Sequence, residues 1–426
     1  MKQVFIIGTG PNPAQVSGRA LAHLQEAEVL IGAARMVEPF AYLGKTVYPV
    51  YQPDKVAQVI KESSHSRFAV PVSGDVGFFS AAAGINEALQ EANNREAGNR
   101  EGAGQQPGQQ VEVHFIPGLS SLASFFAKLK MAWQDAALLS LHGAAGDIAG
   151  QVRRHRKTFC LTGNNLPEIG QTLINAGYGS LPVYIGENLD YENEQITKTT
   201  VAALAETSRA SLAVLLIINE DFDSRVRAGI ADEEFFRGDI PMTKAEVRAV
   251  TLAKLAVSPG DICYDIGAGT GSVTVEMALA AYGGQVFAIE QKGEAIALIE
   301  ENCRRFHVGN VTPILGQAPA ALATLEALEK LPAADVVFIG GSGGRMKEIL
   351  EYVTARNPRV RIAINAIALE NLASSLELLT ALGLPAIEVI QVSVAKANKV
   401  AELHMMMAQN PIFIISAGGK RSDSHA

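Results

Sequence analysis

Cysteine, tryptophan and long apolar runs are all scarce in this chain. Its three cysteines, Cys160, Cys263 and Cys303, stand far apart with no Cys-x-x-Cys pair. That spacing excludes a disulfide framework and a cysteine-rich zinc site, and it points to a reducing, cytoplasmic setting. The longest apolar runs, such as 212–218, suit buried strands and are too short to cross a bilayer, so no membrane role is expected. Residues 1–8 hold too little apolar length for a signal peptide and read as an opening strand. Basic residues are not in excess. The formal charge is −8, which argues against a nucleic-acid partner. What is plentiful is apolar side chain, 48% of 426 residues, enough for two or three cores.

The chain is organised around a glycine corner formed by Asp265, Gly267, Ala268, Gly269, Thr270 and Gly271. A short apolar strand precedes it, and 272–281 follows with helical periodicity. Strand, glycine turn and helix in that order make a nucleotide-binding corner. Glycine lets backbone approach ligand because no Cβ intervenes. A dinucleotide fingerprint needs glycine at its first, third and sixth positions, whereas the sixth here is Ser272. The spacing suits S-adenosylmethionine instead. Asp265 is placed to act on the donor's ammonium, directly or through water, and the helix N-terminus to face its carboxylate. The next strand, 285–289, ends in Glu290, where an acid accepts hydrogen bonds from ribose hydroxyls. The turn at Gln317 and Ala318 offers a place for adenine. Gly340, Gly341, Ser342 and Gly343 end a further strand and leave room for a flat, wide substrate; the same cluster could also be a simple turn.

Strands alternate with helices throughout, so the class is α/β. The first domain is expected over 1–218, with a low-complexity, disordered insert at about 93–110. A charged linker over 219–240 follows, then a doubly wound, Rossmann-like domain over 241–418 and a tail over 419–426. Residues 388–394 and 411–415 are expected to close the second sheet as an antiparallel pair.

Two resemblances rest on these stretches. Residues 1–218 resemble the two-lobed tetrapyrrole methylases of the cobalamin pathway, on Gly8, Thr9, Gly10 and Pro11 and on 72–78, 116–121, 140–143 and 186–189. The second part resembles the partner class I methyltransferases of the same step, on 232–235, 241–243, 265–271, 317–319 and 340–344. In this order the two are similar to the fused, decarboxylating precorrin methyltransferase family that acts at carbons 5 and 15 of the macrocycle. The resemblance implies S-adenosylmethionine, one per domain, and a corrin precursor, precorrin-6Y or its cobalt-containing equivalent. It implies loss of carbon dioxide from the ring C acetate and self-association into a homo-oligomer. It further implies donor contacts at Thr243, Gln317 and Ala318 in the second part, and at Pro11, Gly74, Asp75, Val76, Ser120 and Ser121 in the first. Two departures stand out: Gly10-Pro11-Asn12-Pro13 is one residue shorter than the family loop, and Gln317 replaces the usual acid.

The chemistry demands little of the side chains. An electron-rich carbon displaces a sulfonium methyl in line, and the protein aligns the partners. The protonated macrocycle is itself the electron sink for decarboxylation, so no metal is implied. His142 is a candidate for proton movement, although a lone histidine is more often a packed residue. Asp75 reads equally as a capping residue. Arg153, Arg154, Arg156 and Lys157 are available to substrate carboxylates, with a solvated helix face the stronger reading. His404 to Met407 reads as a buried edge strand rather than a metal or haem site. Two other functions compete. One is a methyltransferase acting on RNA or protein, of which an adenine-N6 methylase would carry Asn-Pro-Pro-Tyr where Gly340 to Gly344 stands; the other is a non-catalytic tetrapyrrole-binding module, which would need no donor pocket.

Overall fold

The computed structural model describes residues 1–98, 111–142, 147–206, 213–225, 228–400 and 402–419. Strands β1 (Lys2–Gly8), β2 (Val29–Ile31), β3 (Thr46–Tyr48), β4 (Arg67–Val72) and β5 (Val111–Ile116) form a parallel sheet in the order β3-β2-β4-β1-β5. Helices α1 (Gly18–Glu26), α2 (Ala34–Val37), α3 (Pro53–Glu62) and α4 (Ala82–Gly98) cover it. Separate apolar clusters lie on its two faces, one through Val4 and Ile6, the other through Phe5 and Ile7. Burial on both sides explains why these strands are apolar without alternation.

Helix α5 (Ser121–Leu129), capped by the Ser120 hydroxyl accepting from Ala123 N, leads to a second sheet. Its strands are β6 (Ala136–Ser140), β7 (Lys157–Leu161), β8 (Pro182–Glu187), β9 (Gln195–Thr200) and β10 (Ala213–Ile218), ordered β6-β7-β10-β8-β9. Only β6 and β7 run parallel. Helices α6 (Ile148–Arg154), α7 (Leu166–Asn175) and α8 (Val201–Leu204) pack against it.

The second half begins with helix α9 (Ala245–Leu255), followed by β11 (Ile262–Ile266), α10 (Ser272–Ala280), β12 (Gln285–Glu290), α11 (Gly293–Arg305) and β13 (Val311–Leu315). After these come α12 (Ala320–Ala327), β14 (Val336–Ile339), α13 (Met346–Arg356), β15 (Arg361–Ala366), α14 (Leu369–Ala381) and β16 (Glu388–Val392). Strands β17 (Ala395–Val400), β18 (Leu403–Ala408) and β19 (Ile412–Ala417) complete the chain's described elements. The large sheet has the order β13-β12-β11-β14-β15-β19-β16, parallel as far as β15 and antiparallel at β19, so β16 and β19 do close it. The order reverses between β12 and β14 around β11, which opens a crevice at the carboxyl ends of those strands.

Several expectations need correction. Residues 93–98 continue helix α4, and Asn93 clasps the start of β5 by donating to Val111 O (3.2 Å) and accepting from Val111 N (3.4 Å). The rest of the expected insert, 99–110, and the tail from 420 lie outside the described residues. The segment read as linker is not a simple spacer. Ile230 and Phe235 are buried in the second half's core, because Glu276 accepts from Gly229 N (2.8 Å) and Ile230 N (2.9 Å).

The basic run is not one solvated face. Arg153 is buried and donates to Asp223 O (2.9 Å), Arg154 lies 3.4 Å over the Tyr282 ring, Arg156 pairs with Glu220 (2.7 Å), and buried Lys157 pairs with Asp135 (2.8 Å). Arg154 therefore helps join the halves, as does His307, stacked on Tyr178 with Nδ1 2.7 Å from Ala176 O. Strand β18, expected to be buried, pairs with β17 in a separate two-stranded ribbon, and all six of its residues are exposed. Leu403 is 71% and Met406 66% exposed.

Candidate active sites

In the second half the glycine corner lies where the topology requires, between β11 and α10. A cavity of about 230 Å³ opens there. Gly267, Gly269, Glu290, Gln317, Ala318, Gly341, Ser342 and Gly343 all line it, so eight predicted positions converge. Gly267 has φ 74°, and a Cβ on it would stand 2.6 Å from Gly341 O, so two loop backbones touch across the floor. Glu290 lines the cavity and is fixed by three backbone donors, Gly269 N (3.0 Å) to one oxygen and Gln291 N (2.8 Å) and Lys292 N (3.1 Å) to the other, which leaves acceptor capacity on the first oxygen. Gln317 donates to Gly343 O (3.4 Å) and so ties the adenine-side loop to the glycine-rich one.

The other predicted positions support the floor or stand outside it. Asp265 is fully buried beneath the corner, accepting from the Thr274 hydroxyl at 2.5 Å, while its Oδ1 has no partner. Burial pushes its carboxyl up to about 7, and the negative charge of Glu290 adds to that. Thr270 is buried with its hydroxyl unpartnered, its carbonyl accepting from Asn302 (2.9 Å). Gly271 adopts φ 77° against Ile299. Ala268 is buried behind the loops, Gly340 is exposed outside the cavity lining, and the Thr243 carbonyl is taken by Arg248. Sequence reasoning did not assign Ile240, Pro241, Gln291 and Lys292 to the site, although all four line the cavity. Their signal was positional: Gln291 and Lys292 directly follow Glu290.

The first half has its own cleft, of about 280 Å³, between its two sheets. Pro11, Gly74, Ser121 and His142 line it. Around Gly74, the one glycine among Gly8, Gly10, Gly74 and Gly118 that lines it, backbone packs on backbone. A Cβ on Gly118 would lie 2.4 Å from Gly8 O and 2.5 Å from Gly74 O, and Gly10 and Gly74 exchange hydrogen bonds of 3.1 and 3.0 Å. Asp75 is half-buried and caps this contact, accepting from Gly77 N (2.8 Å) and Gly118 N (3.1 Å). Val76 packs into the core and Ser120 caps α5, so neither lines the cleft. His142 is exposed, with Nδ1 3.3 Å from Thr162 O; Gly143 lies outside the described residues.

Residues 3–205 match the family model of tetrapyrrole (corrin/porphyrin) methylases, and residues 234–417 match that of the precorrin methyltransferase domain. A probable cobalt-precorrin-6B C(15)-methyltransferase (decarboxylating) from Saccharolobus solfataricus is 42% identical over 192 residues, 44% of this chain and 94% of that protein. This chain belongs to the precorrin methyltransferase family. A cobalt-precorrin-6B C(15)-methyltransferase (decarboxylating) from Salmonella typhimurium is 35% identical over 196 residues, 46% of this chain and 97% of that protein. Among solved structures, the precorrin-6y C5,15-methyltransferase from Geobacter metallireducens is 38% identical, covering 45% of this chain and 97% of its own, with a TM-score of 0.41.

The family's methyl donor is S-adenosylmethionine. The residues of the second half fit that group. The buried, unpartnered Asp265 Oδ1 and Thr270 hydroxyl lie beneath a floor with no Cβ, and the Glu290 carboxylate lines the cavity at the end of β12.

Proposed function

We propose that this chain methylates a corrin precursor at two carbons, carbon 15 with loss of carbon dioxide from the ring C acetate in the second half, and carbon 5 in the first. The observation that carries this reading is the pair of separate cavities, one in each half, the second lined by the glycine corner and the first by Gly74 beside its own backbone contact with Gly10. Each half would hold one S-adenosylmethionine, which supplies an electrophilic methyl. In the second half Glu290 would hold the ribose, Gln317 and Ala318 the adenine side, and Asp265, through its free oxygen, the ammonium. Gly341 to Gly343 leave a flat opening toward the macrocycle. In the first half Pro11, Gly74 and Ser121 would border the donor.

Each transfer forms a carbon–carbon bond and breaks the sulfur–methyl bond, the electron pair going to sulfur. Decarboxylation sends the acetate's electron pair into the protonated ring. The protein's part is alignment and exclusion of water. The three cysteines are free and buried, with burial pushing Cys160 and Cys303 up to about 12, which suits a cytoplasmic protein. Among the described residues no helix is long and apolar enough to cross a membrane. The ribbon of β17 and β18, with β18 exposed throughout, supports self-association, since isolated exposed apolar strands seek a partner.

The deciding experiment incubates the full chain with labelled S-adenosylmethionine and metal-free or cobalt-loaded precursor. Product mass should rise by two methyl groups and fall by carbon dioxide. Methylation of RNA alone, or binding without turnover, would refute the assignment.

A further inference from the structure

The rim of the first-half cleft carries groups that the donor does not explain. Arg35, in helix α2 just beyond β2, lines the cleft and is exposed. Among the described residues it has no ion-pair or hydrogen-bonding partner. Phe79 lines the same cleft with its ring 56% exposed and its backbone at φ 45°. A large side chain in the left-handed region, turned toward water, is unfavourable on two counts, and such outliers gather at ligand sites. The ring is nonetheless braced: it meets Phe78 edge-on at 5.0 Å, and Phe78 leans on buried Phe159 at 6.1 Å. Tyr191 closes the rim from the loop after β8.

A braced aromatic face beside an unpaired guanidinium matches a flat, conjugated ring edged with carboxylates. We propose that Phe79 is the surface on which the macrocycle lies, and that Arg35 pairs with one of its peripheral carboxylates. Together they fix which bridging carbon meets the methyl donor in the first half. This inference rests on the function proposed above. Guanidinium, rather than ammonium, suits the task because its fork holds a carboxylate in two bonds and so sets rotation of the ring as well as its position.

The test uses the full-length chain with Arg35→Met, Arg35→Lys and Phe79→Ala. Methyl positions are read by carbon-13 NMR from labelled donor, and the second half's methylation in the same tube reports that the chain is folded. Arg35→Met should raise KM for first-half methylation roughly 10- to 100-fold, leave the second half's rate and donor affinity unchanged, and be partly rescued by lysine. Phe79→Ala should raise the same KM and place methyl on more than one carbon. Wild-type KM and a single methyl position in both variants would overturn the inference. So would a loss of donor affinity in step with the rise in KM. A wild-type chain that methylates no corrin precursor overturns the proposed function itself, an outcome distinct from wild-type turnover with indifferent variants.

Discussion

Glu276→Ala should destabilise the second half by about 3–5 kcal/mol. Glu276 sits inside α10, a helix buried on every side from Ser272 to Leu279. Its carboxylate accepts from Arg248 Nε (2.8 Å), Gly229 N and Ile230 N. Arg248 is 0% exposed; it also donates to Asp232 (3.1 Å) and to the Thr243 and Ile230 carbonyls, and it lies 4.8 Å over the Phe235 ring. Truncation strands a buried cation next to a half-satisfied partner, and the two abandoned backbone donors place the loss toward the upper end of that range. The clamp also holds the segment running to Pro241, which walls the donor cavity, so donor affinity should fall with stability. Urea unfolding followed by circular dichroism reads the change, while fluorescence of the single tryptophan, Trp133, reports the first half. A midpoint moved by less than about 1 kcal/mol would refute the reasoning. Replacing Arg248 and Glu276 together by Met and Leu should recover part of the loss, because no buried cation is then stranded and Asp232 keeps Lys244 (3.5 Å) and Ala245 N (3.0 Å).

Three further outcomes follow from the geometry. Burial holds the Asp265 carboxyl near 7, against about 3.9 in an unfolded chain. The folded chain therefore keeps a proton that the unfolded chain releases, and stability falls as pH rises from about 4 to 7. Asp265→Asn should flatten that slope in denaturation series at pH 5 and pH 8, and equal slopes would contradict the assignment. Gly118→Ala must part the β1 and β4 loops, since its Cβ meets Gly8 O at 2.4 Å. It should cost about 1–3 kcal/mol and first-half donor binding, measured by calorimetry. Met406→Asp, on the exposed face of β18, should lower the assembly mass seen by light scattering if the ribbon is the contact, and an unaltered mass removes that role.

The second half was more legible than the first for a physical reason. Its parallel strands are buried on both faces and its ligand loop is built of glycine, so composition, order and spacing all carry the same message. Gly267, Gly269 and Glu290 are backbone-level requirements, and backbone requirements leave marks in sequence. The clamp of Arg248, Glu276 and Asp232 was not legible, because its partners lie 28 and 16 residues apart and meet only once the helices dock. The basic run at Arg153 misled for the same reason: charge in a sequence says nothing of burial until the docking partner is known. The methionines of β18 misled in the opposite sense. A continuous apolar run normally marks a covered strand, and here every residue of the strand is exposed among the described residues. Arg35 and Phe79 escaped notice because a short helix and a turn carry no periodicity to read.

The backbone contact at Gly8, Gly74 and Gly118 has an evolutionary consequence. Where backbone touches backbone, no side chain can be admitted, and the only tolerated residue is the one already present. A lineage seeking a new acceptor cannot remodel such a base in steps. Innovation is confined to the margin, to positions such as Arg35, Phe79 and Tyr191, where a change alters what is welcomed without disturbing the ground on which it rests.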